Sequence, residues 1–426
     1  MIIRGGSVVT ARGVERVDIA IADGQITEVG MNVGADGGEI DASGLHVFPG
    51  GIDSHVHFNE PGRTEWEDIA HGSAALAAGG YTCFIDMPLN NLPVTTDVAA
   101  FDLKLEAMKR SSKVDFGLWG GLVPGNLDQL KGLDERGVMG FKAFMCPSGI
   151  DEFPACDTAT LAEGMARIAE LDSILLVHAE DPSRLNSPAG TTPRDFIWSR
   201  PADAELEAIA QAIEVARRTG CRLHVVHIST ARGAELIHEA QQRGIDASGE
   251  TCPHYLLYVE DDMERMGGFA KCAPPFRTAL DREKLEWMLR DGRLPMVVSD
   301  HSPSTLALKQ GDDFFKVWGG ISGCQSTRQL LLANGDLEIT AVAAVTATNI
   351  ARRFGLGRKG DIAPGFDADL WIANLGDEDV VRREDLLYLN PFSAHEGQRI
   401  RGRTVKTLVG GGEPGSGRFI RPAARS

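Results

Sequence analysis

The chain has 426 residues, 43% of them hydrophobic, and a formal net charge of −17. This length exceeds that of an average domain and suits one large barrel with a smaller companion domain. The acidic balance argues against nucleic acid or an anionic membrane as a partner, since both attract a basic face. The sequence has no apolar run of about 18 residues, and residues 1–10 lack the pattern of a signal peptide, so we expect neither a membrane span nor a leader.

The sequence contains seven cysteines, and no two of them are spaced as C-x-x-C. An odd number without this spacing argues against a disulfide framework and against a structural zinc knuckle. We therefore expect reduced, buried thiols in a cytoplasmic protein.

The two ends of the chain together predict one small β domain. Apolar residues alternate with polar or small ones from position 17 to 21, and Asp23-Gly24 is typical of a hairpin turn. This N-terminal piece is too small to bury its own core. Strand-like segments at 369–373 and 405–410 offer the missing partners. The predicted β-sandwich domain comprises residues 1–48 and 365–426.

Between these ends, strand-like segments alternate with helical ones, which is typical of parallel βα units. The eight candidate strands are residues 45–57, 81–87, 114–119, 138–144, 173–178, 222–228, 245–252 and 295–300. Eight strands with seven intervening segments favour a closed (β/α)8 barrel over residues 49–364. An open, doubly wound sheet would also accommodate the alternation.

Side chains that can bind metals stand at the carboxyl ends of five of these strands. In a parallel barrel these ends meet at one rim, where the active site is built. The candidates are His55 and His57 on the first strand, Lys142 on the fourth, His178 on the fifth, His227 on the sixth and Asp300 on the eighth. The first two, at i and i+2 of a strand, share a face. For that pair alone, half-buried histidines with hydrogen-bond partners are the alternative interpretation.

Lys142 is the unusual member of this set, because a protonated amine beside metal ions would be repelled and a buried unpaired ammonium is costly. A salt bridge to a carboxylate is one solution. A carbamate formed by CO2 on the amine is another, since its two oxygens can bridge two metals. The residues by themselves leave both open.

Five motifs, in this order along the chain, resemble those of the cyclic amidohydrolases, the group of dihydroorotases, hydantoinases (dihydropyrimidinases) and allantoinases. They are His55-Val-His57, Gly-Phe-Lys142, Val-His178-Ala-Glu, Val-His227-Ile-Ser and Ser-Asp300-His-Ser-Pro. The resemblance covers nearly the whole chain, and it also implies a homotetramer.

By this resemblance the six residues form a two-metal site. His55, His57 and Asp300 would hold one divalent ion, His178 and His227 the other, and a carboxylated Lys142 would bridge them. Zinc is the expected metal because the set is rich in imidazole, although cobalt, nickel, manganese or iron would also suit it. Asp300 is then the expected general acid and base.

Two positions indicate which ring is opened. Dihydroorotases of the closest type have an arginine, which pairs with the substrate carboxylate, where this chain has Asn59. Hydantoinases have a tyrosine where this chain has Pro147. Further segments resemble those of allantoinases, namely Asp86-Met-Pro-Leu-Asn90, Glu250-Thr-Cys-Pro-His254, Lys271-Cys-Ala-Pro-Pro and Trp318-Gly-Gly-Ile. The resemblance thus implies hydrolysis of allantoin to allantoate. The alternatives are a hydantoinase acting on another neutral ring and a non-catalytic scaffold relative.

Substrate contacts are expected from the side chains of Asn59, Asn90 and His254. The resemblance adds the backbone near Ala273 and Gly319. Asparagines that stabilise turns, and a histidine that supports the structure, are the alternatives for the three side chains. Loops 146–157 and 302–317 are candidate lids because they are rich in turn residues and follow strand ends.

Overall fold

The computed structural model describes residues 1–34, 36–333 and 336–423. The strands in this part of the chain are β1 (Ile2–Thr10), β2 (Gly13–Ala22), β3 (Gln25–Gly30), β4 (Glu39–Asp41), β5 (His46–Pro49), β6 (Gly51–Val56), β7 (Tyr81–Asp86), β8 (Asp115–Leu118), β9 (Gly120–Gly121), β10 (Phe141–Phe144), β11 (Ile174–His178), β12 (Arg222–Val225), β13 (Ala247–Gly249), β14 (Leu370–Val380) and β15 (Arg399–Leu408).

The helices are α1 (Ile69–Ala78), α2 (Val98–Ser111), α3 (Leu130–Arg136), α4 (Thr158–Glu170), α5 (Pro193–Ser199), α6 (Ala202–Thr219), α7 (Ala231–Gln242), α8 (Pro253–Leu257), α9 (Glu260–Met266), α10 (Ala279–Arg290), α11 (Thr327–Ala333), α12 (Ile339–Ala343) and α13 (Asn349–Phe354). Among the described residues, none of the helices has the length and apolar character needed to cross a bilayer.

Strands from both ends of the chain form one seven-stranded sheet, ordered β15-β14-β5-β1-β2-β3, with β4 paired to β1. Asp23 (φ 50°) and Gly24 (φ 78°) turn β2 into β3, as predicted, because left-handed residues match the twist of a hairpin. Apolar side chains from both ends share one buried cluster, which includes Ile19, Val47 and Leu370. The limits 1–48 and 365–426 stay a prediction, and within them residues 35 and 424–426 lie outside the described part.

The predicted first strand, residues 45–57, is divided between two sheets. β5 pairs with β14 of the terminal sheet, whereas β6 pairs with β7 in the barrel. The chain passes from one to the other at Gly50, where a Cβ would lie 2.1 Å from Oγ1 of Thr82. A side chain at this position is therefore excluded by the neighbouring strand.

The barrel consists of two parallel ladders, β6-β7-β8 and β9-β10-β11-β12-β13. They are contiguous, because only Trp119 separates β8 from β9. Two parallel bridges, Thr251 to Val297 and Val56 to His301, close the ring. The eighth strand predicted at 295–300 is reduced to one bridge, at Val297, with a second just beyond it at His301, so the segment forms no ladder.

The competing hydrogen bonds of this eighth segment explain the difference. The amide of Val297 donates to the carbonyl of Val345, in the π-helical turn Ala344–Thr348, at 3.0 Å. The amide of Ser299 donates to the Asp53 carboxylate at 3.2 Å. Pro295 has no amide to donate. The segment still ends at the barrel rim, so Asp300 lies where a strand would have placed it.

Two buried cations join the barrel to the terminal sheet. The Arg328 guanidinium lies over the Trp371 ring, 4.3 Å from its centroid, and donates to the carbonyl of Gly80 at 2.8 Å. The Lys359 ammonium lies 2.8 Å from Asp115 of β8 and 2.5 Å from Asp369, next to β14. Both contacts bury charge between the two units.

The C-terminal segment reinforces this junction. The amide of Phe116 donates to the Arg418 carbonyl, and the amide of Ile420 donates to the Phe116 carbonyl. The Phe419 ring packs against that of Phe116, with 5.8 Å between centroids. The segment thus adds an extended edge beside β8.

Replacing Lys359 with Met should lower the free energy of unfolding by about 3–5 kcal/mol, because it leaves the buried Asp369 carboxylate without its cation and Asp115 with Arg418 alone. Denaturant unfolding followed by circular dichroism measures this change. The matched control is Arg358→Met. The Arg358 side chain also pairs with a buried carboxylate, that of Asp367, but is itself 57% exposed. This replacement should cost less than about 1 kcal/mol. Equal losses in the two variants would contradict the assignment.

Candidate active site

A cavity of about 470 Å³ opens at the carboxyl ends of the barrel strands. All six predicted metal ligands line it, namely His55, His57, Lys142, His178, His227 and Asp300. The structure therefore brings together side chains that the sequence places on five separate strands.

Two of these residues have an unusual backbone. His227 (φ 39°) and Asp300 (φ 46°) adopt left-handed conformations, which cost non-glycine residues about 1–2 kcal/mol each. Both follow the end of a strand, and the turn directs their side chains into the cavity. Such strain concentrates at functional sites, where the surrounding structure maintains it.

Asp300 and the first two histidines form one donor cluster. Asp300 Oδ1 lies 3.1 Å from Nε2 of His55 and 3.3 Å from Nε2 of His57. Donors bound to one zinc ion at about 2.0–2.2 Å lie roughly 3–3.5 Å apart. These three residues could therefore hold a divalent ion without rearrangement.

His178 and His227 form a second donor pair. Nδ1 of His178 lies 3.0 Å from Nε2 of His227, and both rings are buried. This distance fits two ligands of one ion, and it also fits a hydrogen bond between a protonated and an unprotonated ring nitrogen. The pair supplies the remaining imidazoles of the predicted site.

Lys142 lies fully buried beside the two donor groups. Its Nζ has no hydrogen-bond partner and no carboxylate within salt-bridge distance among the described residues. It lies over the Phe144 ring, 4.9 Å from the ring centroid. Burial lowers the pKa of Lys142 to about 7. Lys142 therefore forms no salt bridge with a carboxylate of the described residues, which was one of the two arrangements that the sequence left open.

Buried carboxylates orient two of the histidines. Nδ1 of His55 lies 2.7 Å from Glu250 Oε1, which directs Nε2 toward Asp300. Nε2 of His178 lies 2.7 Å from Glu180 Oε2, which leaves Nδ1 for His227. Such partners fix the orientation of a metal-binding imidazole and raise its basicity. The donor set and its supports therefore fit divalent metal ions.

The two carboxylates differ in their electrostatics. Burial raises the pKa of Glu250 to about 8. Burial would also raise the pKa of Glu180, but Arg200, 2.5 Å away, and His178 outweigh it and bring that pKa to about 2. The support of His178 is thus a stable anion.

Sequence reasoning assigned no role to Glu180 or Arg200. The signal for Glu180 was its spacing, because it lies two residues after His178 and so faces the same side, as His57 does relative to His55. Arg200 directly follows α5 and had no such signal. Its position near Glu180 depends on how that helix folds back over the cavity.

Three of the predicted substrate contacts, Asn90, Ala273 and Gly319, line the cavity. The Asn90 side-chain nitrogen lies 3.5 Å from Ser302 Oγ, so its amide is only weakly held. Parts of both candidate lids, including Pro147 and Val317, also line the cavity.

Asn59 and His254, the other two predicted substrate contacts, are buried and are not among the residues that line the cavity, so contact with the substrate stays a prediction for both. Asn59 begins a turn, in which its carbonyl accepts from the Arg63 amide, and its side chain is fully buried. His254 belongs to α8, and its ring packs on Tyr255 with 4.4 Å between centroids. Burial lowers the pKa of His254 to about 3, so the ring is neutral. A supporting role remains for it, because a ring nitrogen lies within 4.8 Å of an Asp300 oxygen.

The family model described as "Amidohydrolase family" matches residues 46–412. The chain belongs to the amidohydrolase family. Among curated amidohydrolase relatives, the allantoinase of Rubrobacter xylanophilus is 49% identical over 99% of this chain and 97% of its own. The allantoinase of Solibacter usitatus is 48% identical over 96% and 92%.

Solved amidohydrolase structures match the fold over its full length. The L-hydantoinase (dihydropyrimidinase) from Arthrobacter aurescens superposes with a TM-score of 0.94 and 32% identity, covering 99% of both chains. The dihydropyrimidinase from Brevibacillus agri gives a TM-score of 0.92 and 27% identity, covering 100% of this chain and 99% of that one. These matches confirm the (β/α)8 barrel with a small β domain.

Replacing Glu250 with Gln should weaken metal binding by about 10- to 100-fold, because the His55 imidazole loses the carboxyl group that orients it. Metal content after dialysis against graded chelator measures this effect. The matched control is Glu205→Gln, another buried carboxylate, which accepts from the Ser229 amide at 2.7 Å and touches no ligand candidate. Metal retention equal to wild type in the Glu250 variant would sink the orienting role.

Proposed function

We propose that this amidohydrolase is an allantoinase, which adds water across a ring amide of allantoin to give allantoate. The observation that carries the proposal is the similarity to allantoinases, at 49% and 48% identity over nearly the whole chain. The chain is a cyclic amide hydrolase, and allantoin is the member of this substrate class that its relatives indicate.

The charges around the cavity support a neutral substrate. Arg200 is the only arginine among the described lining residues, and it is paired with Glu180 at 2.5 Å. A free arginine fork for a substrate carboxylate is therefore not present at this wall. Allantoin is uncharged and rich in amide donors and acceptors, and contacts with Asn90 and with the backbone at Ala273 and Gly319 would suit it.

We propose a site for two divalent ions. His55, His57 and Asp300 would hold one ion, His178 and His227 the other, and Lys142 would bridge them as a carbamate. The distances within each donor group and the unpartnered Nζ of Lys142 support this assignment. We keep zinc as the expected metal. When bound, the ions would activate water and polarise the carbonyl.

Asp300 is suited to move the proton in this reaction. Its carboxylate reaches the cavity from a strained turn and is partly exposed there. It would accept the proton of the attacking water as the oxygen–carbon bond forms. It would then deliver that proton to the ring nitrogen as the carbon–nitrogen bond breaks.

The second candidate function is that of a hydantoinase. It is favoured by the structural match to the L-hydantoinase from Arthrobacter aurescens, with a TM-score of 0.94. The identity of 32% to that chain is well below the 49% to the allantoinase of Rubrobacter xylanophilus. Pro147, which lines the cavity, also has no hydroxyl to assist an oxyanion. A non-catalytic scaffold is disfavoured because all six ligand candidates meet in one cavity.

We infer in addition that the protein is a cytoplasmic homotetramer. The seven cysteines are free and buried, which fits a reducing compartment. The tetramer is supported by the family resemblance of the motifs.

The substrate assignment predicts a clear order of rates. Purified protein should hydrolyse allantoin with a kcat/KM at least about tenfold above that for hydantoin, dihydrouracil or dihydroorotate, which corresponds to about 1.4 kcal/mol of transition-state stabilisation. Ring opening is measured with each substrate, with and without added divalent metal. Preferred hydrolysis of hydantoin would establish the second candidate function instead.

Replacing Asp300 with Asn should reduce turnover of allantoin by about 10²–10⁴-fold, because the amide cannot accept the proton of water. Metal should be largely retained, since an amide oxygen remains. Steady-state kinetics and metal analysis of the same preparation separate the two effects. Asp128→Asn, at an exposed position, is the control. Near wild-type turnover in the Asp300 variant would rule out the acid–base role.

A further inference from the structure

Two buried lysines beside the cavity have no acidic partner. Lys271 and Lys309 are 6% and 4% exposed. Among the described residues, no carboxylate lies within salt-bridge distance of either ammonium; instead, both ammoniums contact main-chain carbonyls. Lys271 belongs to a motif that the sequence analysis singled out, and the chemistry proposed above does not use either lysine.

The carbonyls belong to one short segment, residues 314–320, which we call the 314–320 wall. Lys271 Nζ donates to the carbonyls of Phe314 at 2.6 Å, Phe315 at 3.2 Å and Val317 at 2.5 Å. Lys309 Nζ donates to the carbonyl of Trp318 at 3.1 Å and also to that of Gly320. The wall contains no helix or strand, so these carbonyls have no ladder partners. The lysines satisfy them instead.

Main-chain hydrogen bonds tie the wall to the same two lysine-bearing segments. The amide of Trp318 donates to the Leu308 carbonyl at 2.8 Å, and the amide of Gly320 donates to the Lys271 carbonyl at 2.7 Å. The Trp318 ring packs edge-on against Trp66, with 4.7 Å between centroids. The wall therefore contacts three other segments, at Leu308, Lys271 and Trp66.

The wall forms part of the cavity surface, from Phe315 to Gly320. In a planar trans peptide, the carbonyl of one residue and the N–H of the next point in opposite directions. When Lys309 holds the Trp318 carbonyl, it therefore also fixes the direction of the Gly319 N–H. Gly319 is one of the backbone positions expected to contact the substrate.

Burial of these two ammoniums is costly for folding. It lowers the pKa of Lys271 to about 8 and that of Lys309 to about 7. Apolar side chains of similar length would fill the same space without this cost. A cost to stability next to the cavity indicates a functional requirement.

We propose that Lys271 and Lys309 are positioning residues, which hold the 314–320 wall in the shape that receives the substrate ring. The proposal rests on the proposed function, because the ring is taken to be that of a cyclic amide. The lysines act through the backbone and touch no reacting atom. If the wall is already ordered, substrate binding loses no free energy to ordering it. Loss of a lysine should therefore weaken substrate binding more than it slows the chemical step.

The test compares Lys309→Met and Lys271→Met with wild type in their metal-loaded form. Each variant should raise KM for allantoin about tenfold and change kcat by less than about threefold. Hydrogen exchange followed by mass spectrometry should show lost protection in peptides that cover 314–320. Metal content should equal that of wild type.

The matched control is Lys359→Met, which removes another buried lysine, the one between the barrel and the terminal sheet. It should lower stability but leave KM and exchange at 314–320 unchanged. Lys309→Arg, which retains the charge and the donors, should restore part of the wild-type KM. If Lys309→Met does not fold, Lys271→Met, which removes the donors to Phe314, Phe315 and Val317, takes its place in the test.

Wild-type KM and wild-type exchange in Lys309→Met would overturn the proposal, as would equal changes in Lys359→Met. Failure of the proposed function gives a different result. If wild type does not open allantoin, the kinetics use the best substrate of the panel, and exchange at 314–320 still decides whether the lysines hold the wall.

Discussion

Closure of the barrel between its first and last strands is the constraint on which the site depends. The amide of His57 donates to the His301 carbonyl at 2.8 Å, and Val56 bridges to the same residue. This contact brings Asp300 to 3.1 Å from His55, although the two lie at opposite ends of the barrel sequence. Without it, the first two histidines would face an open edge. The cluster of donor atoms and the position of the proposed proton carrier, Asp300, both depend on ring closure.

Burial and two neighbouring carboxyl groups, those of Glu250 and Glu180, allow the basic side chains of the site to lie close together. Four histidines and a lysine that share a small buried volume would repel one another if they were protonated. Burial and mutual repulsion lower the pKa values of His55 and His227 well below their usual range. Glu250 and Glu180 then fix which ring nitrogen faces the cavity. The lowered pKa values of His55, His178 and His227 favour neutral imidazoles, which is the form in which imidazole binds metals.

The sequence predicted the parts of the site that depend on strand periodicity. His55 and His57 at a spacing of two, and Lys142 and His178 near strand ends, lie at the rim as expected. The sequence does not indicate how deeply a side chain is buried: Asn59, in a turn, and His254, in a packed helix, are buried and do not line the cavity. The eighth strand was overestimated for a related reason, since an apolar segment does not reveal that its amides bond to a helix and a side chain.

Contacts made through the backbone were also outside the reach of sequence patterns. Lys309 has no neighbouring motif, and its carbonyl partners become visible only when the 314–320 wall is folded over it. The family resemblance supplied what periodicity could not, namely the grouping of ligands and the class of ring.

The position of Arg328 between the two units has an evolutionary implication. Its guanidinium lies within 6.0 Å of the ring centroids of Phe48, Tyr81 and Trp371, which belong to both the terminal sheet and the barrel. Among the described residues, no carboxylate pairs with this guanidinium, so its environment depends on the shape and position of the three rings. We therefore expect the terminal sheet and the barrel to have changed together at this contact, and a chimaera that exchanges only one of them to be less stable.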